Sequence, residues 1–250
     1  LFDILTGETT GIKFNNKVAL NSIFFNFNNY FNGGGVGVGD INNDGLPDLY
    51  FSANKGPNAL YLNKGGLQFE DITSKSNLGQ FNGEWTTGVT MVDVNDDGWL
   101  DIYVSCSNNV DSPELRSNLF FINQGDMTFK EMGKAMNVAD SGFSTHAAFL
   151  DYDNDGDLDL YVLNHPIDFN DRLKLNNHEK IELGTNKSDH LYKNNGNMTF
   201  TDVSMEAGIN NHGFGLSVNT CDFNNDGWTD IFTTNDWGLQ DQYFINQKDG

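Results

Sequence analysis

Four short stretches of this chain place oxygen-bearing side chains at one fixed spacing. In the first, positions 1, 3, 5 and 9 are Asp40, Asn42, Asp44 and Asp48. The second has Asp93, Asn95, Asp97 and Asp101; the third has Asp151, Asp153, Asp155 and Asp159; the fourth has Asp222, Asn224, Asp226 and Asp230. Position 6 is glycine in all four. Hard cations such as calcium take six to eight oxygen ligands, and a glycine lets the chain turn sharply around the ion. The spacing therefore predicts four Ca2+ sites. The third loop holds the most carboxylates and is expected to bind most tightly.

The helix–loop–helix calcium site is the obvious rival, and it requires a glutamate at position 12. Here position 12 is Phe51, Val104, Val162 and Thr233. The segments that follow the loops are also strand-like, without helical periodicity.

The elements that must position these loops can be read from their flanks. A short apolar stretch precedes each loop, as in Val89-Thr-Met-Val, and a β-branched and aromatic stretch follows, as in Ile102-Tyr-Val. Next come Leu60-Tyr-Leu-Asn, Leu119-Phe-Phe-Ile-Asn, Leu191-Tyr-Lys-Asn or Tyr243-Phe-Ile-Asn. A glycine-rich turn then leads to Phe69-Glu-Asp-Ile, Phe129-Lys-Glu-Met or Phe200-Thr-Asp-Val. Runs of Val, Ile, Phe and Tyr bounded by Gly, Asn and Asp read as strands joined by turns. Each repeat thus supplies four strands, A to D, with the acidic loop joining A to B. Four-stranded units repeated along a chain predict an all-β fold of β-propeller blades. The expected repeats are about 13–73, 78–133, 138–204 and 209–250, in a single propeller region spanning residues 1–250.

The block from Asp40 to Tyr50, with Leu60-Tyr-Leu-Asn-Lys-Gly and Phe69-Glu-Asp-Ile-Thr, resembles the FG-GAP or VCBS-type repeat of integrin-α-like propellers. Its wording is most similar to bacterial VCBS-repeat proteins of the cartilage acidic protein type. The resemblance covers nearly the whole chain and is specific for fold and calcium, not for function. It implies that position 7 offers a backbone carbonyl to the ion; here those carbonyls belong to Leu46, Trp99, Asp157 and Trp228. The rings of Trp99 and Trp228 would shield their loops.

Residues 1–12 read as an orphan outer strand, since Phe2-Asp-Ile-Leu-Thr matches the D strands at Phe69 and Phe200. The fourth repeat stops after strand C. One reading closes a four-bladed ring with Phe2–Leu5. The other, which we favour, makes the chain part of a longer ring, since about seven blades would be usual for such a family. Further blades or an envelope complex would then cover the open sheet edges.

The formal net charge is −21, with 35 acidic and 14 basic residues. That balance argues against nucleic acid and anionic membrane surfaces, which recruit Lys and Arg. Four bound divalent ions would bring it to about −13. No stretch is long and apolar enough to insert directly into a bilayer. Calcium modules of this kind bind with dissociation constants on the order of 0.1–1 mM, which suits the outside of a cell. The expected location is extracellular or at a bacterial surface. Cys106 and Cys221 occupy non-equivalent positions and are expected to be buried thiols.

The longer connections, Lys13–Asn32, Ser107–Ser117 and Asn164–Asp189, fall on the side opposite the calcium loops. Long loops on a rigid scaffold carry binding. Trp85, His146, Asn164, His165 and Trp237, with Phe31, are the candidates on that face for a protein or glycan partner. No Gly-x-Ser-x-Gly elbow, phosphate-cradling loop or dinucleotide fingerprint occurs, and the five histidines lack zinc spacing. The expectation is a non-enzymatic, calcium-stabilised binding propeller. The alternative is a polysaccharide hydrolase or lyase, betrayed by converging carboxylates or by a His and a Tyr in a pocket on the long-loop side.

Overall fold

The structure, a computed structural model, describes residues 2–18, 28–79, 85–107, 116–165, 188–209, 211, 213–236 and 239–248. It divides into two compact units, the first Leu1–Val104 with Phe120–Met132, the second Ser105–Leu119 with Gly133–Gly250.

Fifteen strands form four antiparallel sheets among the described residues. The first sheet is β1 (Val36–Gly39), β2 (Asp48–Phe51), β3 (Ala59–Asn63) and β4 (Phe69–Asp71), in sequence order. The second is β5 (Thr86–Val92), β6 (Asp101–Cys106), β7 (Leu119–Asn123) and β8 (Phe129–Glu131). The third is β9 (Ser144–Leu150), β10 (Asp159–Asn164), β11 (His190–Asn194) and β12 (Phe200–Asp202). The fourth is β13 (Gly215–Cys221), β14 (Asp230–Asn235) and β15 (Gln242–Phe244). Each sheet is a propeller blade, the first three with strands in the A-to-D order read from the sequence and the fourth with A to C among the described residues.

The middle strands carry unbroken apolar runs because both their faces are covered. Every residue of β6 and β10 is buried. Strand β9, one position further in, has Ser144, Ala147 and Leu150 buried and the residues between them half-buried. In the second unit the core between two blades contains Leu150, Tyr161, Leu163, Leu191, Ile209, Val218 and Ile231. Burying side chains of this size contributes about 1.5–3 kcal/mol each.

The glycines of β1 follow from how closely its neighbour approaches. A Cβ on Gly37 would lie 2.7 Å from Val89 Cγ1, and one on Gly35 would lie 2.4 Å from the Thr87 carbonyl oxygen. Any side chain there would push the first two blades apart within the first unit.

Two expectations need correction. Residues 2–12 do not form a strand: Phe2 and Ile4 are exposed, and Thr6 caps a four-residue helical turn, α1 (Gly7–Thr10), closed by Gly11 at φ 82°. A strand persists only through ladder hydrogen bonds, whereas this turn satisfies its own amides. Cys221 is exposed at the end of β13, while Cys106 is buried at the end of β6; both are free thiols. An outward position on an inner strand accounts for the difference.

Candidate metal centres

The four acidic loops share one hydrogen-bond pattern, and it begins with backbone shape. Position 4 is left-handed in every loop: Asn43, Asp96, Asn154 and Asn225 have φ between 55° and 58°. Asn and Asp tolerate that region better than most residues. The glycine at position 6 is left-handed too, with φ from 85° to 95°. This bend turns the amides of positions 5 and 6 back onto the first aspartate. Asp40 Oδ1 accepts from Asp44 N–H at 3.1 Å and its Oδ2 accepts from Gly45 N–H at 2.7 Å. Asp93, Asp151 and Asp222 do the same. The aspartate at position 5 accepts from the N–H of position 7 at 2.9–3.0 Å.

The aspartate at position 9 is the first residue of strand B and is buried in all four blades. Asp101 Oδ2 accepts from Val94 N–H at 3.2 Å, and its Oδ1 accepts from Asn123 N–H at 2.8 Å. Asp48, Asp159 and Asp230 repeat both bonds. This carboxylate therefore ties the acidic loop to strand C through protein hydrogen bonds alone. The asparagine on strand C closes the arrangement. Asn123 Nδ2 donates to Leu100 O and also to Ile41 O of the preceding blade, at 3.1 and 2.9 Å. Asn246 makes the matching bonds to Thr229 O and Tyr152 O.

Burial pushes the Asp101 and Asp159 carboxyls up to about 7, against the pull of the N–H groups they accept. The other aspartates of each loop add to the rise. Clustered carboxylates that resist ionising together are what a divalent cation would relieve. In the third loop, one oxygen each from Asp151, Asp153 and Asp159 lie within 4.8 Å of one another. Ligands at calcium distances can stand about 5 Å apart across the ion. The donors are all oxygens and the spacing fits, so the residues present suit a hard divalent cation.

The third loop differs from its siblings at position 3, although the fourth also has an ammonium on a loop carboxylate, Lys248 Nζ at 3.2 Å from Asp226 Oδ2. In the other three, the Asn at position 3 donates its amide to the carboxylate at position 5, at 2.9–3.0 Å. Asp153 has no amide to give. Instead the Lys193 ammonium, from β11, pairs with Asp153 and lies 3.5 Å from Asp155 Oδ2. The equivalent residues on the other C strands are Leu62, Ile122 and Ile245. The expectation that the third loop binds most tightly counted its carboxylates and not this cation.

Position 7 packs its side chain on the turn between strands C and D. A Cβ at Gly125 would lie 3.2 Å from Trp99 Nε1, and one at Gly65 would lie 3.7 Å from Leu46 Cδ1.

A family profile for the FG-GAP-like repeat matches residues 40–104, 108–162 and 181–233. The chain belongs to the FG-GAP-like repeat family. It is 31% identical over 137 residues to cartilage acidic protein 1 of Xenopus tropicalis and 28% identical over 135 residues to the human protein of that name. These matches cover 55% and 54% of this chain and 20% of each relative. The chain therefore spans a small part of the length of the curated relatives it matches. A solved Agrocybe aegerita lectin that recognises non-reducing terminal N-acetylglucosamine is similar at a TM-score of 0.45 and 18% identity. That match covers 78% of this chain and 46% of the lectin, and it is too remote to argue from.

The FG-GAP-like repeats use most of the proposed ligand-face residues internally. Trp85 is 1% exposed and packs edge-on against Tyr30 at 5.3 Å. Asn164 is buried, with its N–H on Asp189 Oδ1 and its amide on Ser188 O. His165 is buried 5.2 Å from the Phe214 ring, with Nδ1 at 3.3 Å from Gly215 O. These three are packing and hydrogen-bonding residues and cannot touch a partner without unfolding. His146 is half-buried on β9; burial lowers its pKa, and its Nδ1 accepts from Val218 N–H at 3.5 Å. Phe31 is exposed. Trp237 and most of the long connections lie outside the described residues.

Sequence reasoning missed a second buried network, in the second unit. Asp140 Oδ2 takes the Tyr192 hydroxyl at 2.8 Å and pairs with His190 Nδ1, while Oδ1 accepts from Gly142 N–H at 2.6 Å. Beside strand C, Asp189 accepts from the Tyr161 hydroxyl at 2.7 Å and from Asn211 Nδ2 at 2.5 Å. Burial pushes Asp189 up to about 6.

Proposed function

We propose that this FG-GAP-like chain is a calcium-stabilised, non-enzymatic binding module that acts outside the cell or at a bacterial surface. The observation that carries this reading is the shared wiring of the four acidic loops. Their carboxylates hold backbone amides at both ends of each loop, and in the third loop Asp151, Asp153 and Asp159 bring three oxygens together, an arrangement that suits a resident ion better than a reacting substrate. Calcium would offset two of the three or four negative charges in each cluster and lock strands A, B and C of its blade together. The oxygens at positions 1, 3, 5 and 9, with the carbonyls of Leu46, Trp99, Asp157 and Trp228, would hold it. A scaffold so fixed would present the B–C and D–A connections to a protein or glycan.

The test is capture from native envelope material by the calcium-loaded chain, repeated in EDTA. This reading expects a specific protein or glycan retained only with calcium. Equal capture in both buffers would contradict it.

One observation favours an enzyme instead: His190 and Tyr192 meet on Asp140, two aromatic side chains on a buried carboxylate near the start of strand C. A polysaccharide hydrolase or lyase would lose turnover in His190→Gln, whereas a binding module would keep its partner.

A further inference from the structure

The first unit contains a cleft of about 730 Å³ lined by Lys13, Lys17, Lys55 and Lys75. These are four of the 14 basic residues in a chain of net charge −21, and three separate segments deliver them to one place. Chance scattering would not gather scarce cations this way in so acidic a protein. We propose that this cleft binds an acidic oligosaccharide, carrying carboxylate or sulfate groups. The proposal rests on the binding-module reading and names its ligand class.

The lysines are held, not merely exposed. Residues 13–17 alternate between outward and inward positions: Lys13, Asn15 and Lys17 are exposed, while Phe14 and Asn16 are half-buried. Phe14 stacks on Phe51 with centroids 5.0 Å apart and planes inclined by 15°. Asn16 Nδ2 donates to Asn54 Oδ1 at 2.6 Å, and Asn54 N–H donates to Asn16 Oδ1 at 2.8 Å. Lys13 N–H donates to the Tyr61 hydroxyl at 3.2 Å. Three anchors to the blade thus fix the segment and point Lys13, Asn15 and Lys17 outward together.

Lys55 comes from the connection between β2 and β3, and Lys75 from the turn after β4. Lys75 pairs with Glu70, whereas Lys13, Lys17 and Lys55 make no ion pair among the described residues. Among the described residues Asp71 is the one acid lining the cleft, and its Oδ1 is capped by Thr73 N–H at 3.0 Å and Thr73 Oγ1 at 2.6 Å. At the Lys75 position the positive charge is particular to this blade. The turn position of Lys75 is Ala135 in the second repeat and Glu206 in the third, matched through the shared bonds of Ile72, Met132 and Val203 to strand C.

Converging like charges in a concave site focus the field on an oppositely charged ligand. At physiological salt the Debye length is about 8 Å, so distant acidic loops are screened while lysines in contact with a ligand are not. The half-buried Phe14 ring and the amide of Asn15 supply the apolar face and hydrogen bonds that a sugar ring takes. A bare phosphate or sulfate would use only the charges.

The test is calorimetric titration of the whole calcium-loaded chain with three hexasaccharides, one sulfated, one of uronic acids and one neutral, and with inorganic sulfate. We expect at least one acidic sugar to bind, the neutral sugar and sulfate to bind at least tenfold more weakly, and 300 mM NaCl to weaken the acidic sugar. Lys13→Gln/Lys17→Gln/Lys55→Gln should lose at least tenfold in affinity at unchanged melting temperature, while Lys130→Gln/Lys134→Gln should bind as wild type. Equal binding by the triple variant would overturn the cleft but leave a glycan-binding module. Equal binding of neutral and acidic sugars, or of sulfate alone, would overturn the ligand class. No sugar binding by a chain that still captures an envelope protein would overturn this proposal and leave the broader reading intact.

Discussion

The Lys193 ammonium lies 3.5 Å from Asp155 Oδ2 and bridges to Asp153, occupying in the third loop the role that an asparagine amide plays in the other three. A strand residue has replaced a loop residue, with opposite consequences for the metal-free and metal-bound states.

Replacing Lys193 by Ile, the residue at this position in the second and fourth blades, separates those consequences. Without metal the ion pair is lost, and because Lys193 is about a third exposed the cost is only about 0.5–1 kcal/mol. With metal the competing cation is gone. Calcium titration followed at the Gly156 amide should show affinity rising about fivefold, the factor that roughly 1 kcal/mol gives. An unchanged or weaker third site would show that the ammonium does not compete.

Asp101→Asn tests whether position 9 is structural as well as a ligand. The replacement has one oxygen where two are used, so its NH₂ would face either Val94 N–H or Asn123 N–H. Leaving a buried donor unmatched costs about 1–3 kcal/mol. Urea unfolding should show that loss in EDTA as well as in calcium. Asp97→Asn, on the exposed side of the same loop, should cost far less in EDTA, where water can replace the bond from the Asn95 amide, than in calcium. A variant at 101 that is silent in EDTA would reduce position 9 to a ligand alone.

Asn123→Ala removes the amide that spans two blades. The side chain is 2% exposed, donates to Ile41 O and Leu100 O, and accepts from Gly125 N–H at 3.0 Å. Two stranded carbonyls and an unmatched amide should cost about 2–4 kcal/mol. Asn95→Ala, in the same blade but only half-buried in the loop and with a single side-chain donor bond, to Asp97, should cost less than half of that in EDTA.

The loops and strands could be read from sequence because their signals are local. Asp-x-Asn-x-Asp-Gly fixes its own bend, and runs such as Ile102-Tyr-Val pair with their immediate neighbours. What escaped depends on register between distant segments. Lys193 reaches Asp153 only because β11 lies beside β10, and His190 finds Asp140 from 50 residues away. Trp85 looked like a surface anchor because an aromatic in a connection gives no sign that Tyr30 will cover it. The cleft lysines were invisible for the same reason, since Lys55 and Lys75 meet Lys13 only after the blade has formed.

The Asp140–His190 pair predicts a pH dependence. Burial alone would lower the His190 pKa, but the bond to Asp140 and that carboxylate's charge raise it above its ordinary 6.5. The folded state therefore holds the proton more tightly than the unfolded chain does. The stabilisation is full below about 6.5 and fades as pH rises through the folded-state value. The difference in melting temperature between wild type and His190→Gln, both in calcium, should shrink from pH 6 to pH 9. A difference that is flat or grows over that range would contradict the pairing.

The central claim is that the four aspartate-lined bends hold calcium and that calcium holds the blades. The most direct measurement is scanning calorimetry of the chain in 2 mM CaCl2 and in EDTA, with bound calcium counted on the same sample. Ions that bind only the folded state must stabilise it. The account predicts about four calcium ions per chain and a melting temperature at least about 5 °C higher with them, since at dissociation constants on the order of 0.1–1 mM each filled site contributes about 0.6–1.8 kcal/mol in 2 mM calcium. A chain that binds no calcium at that concentration, or melts at the same temperature in both buffers, would contradict it.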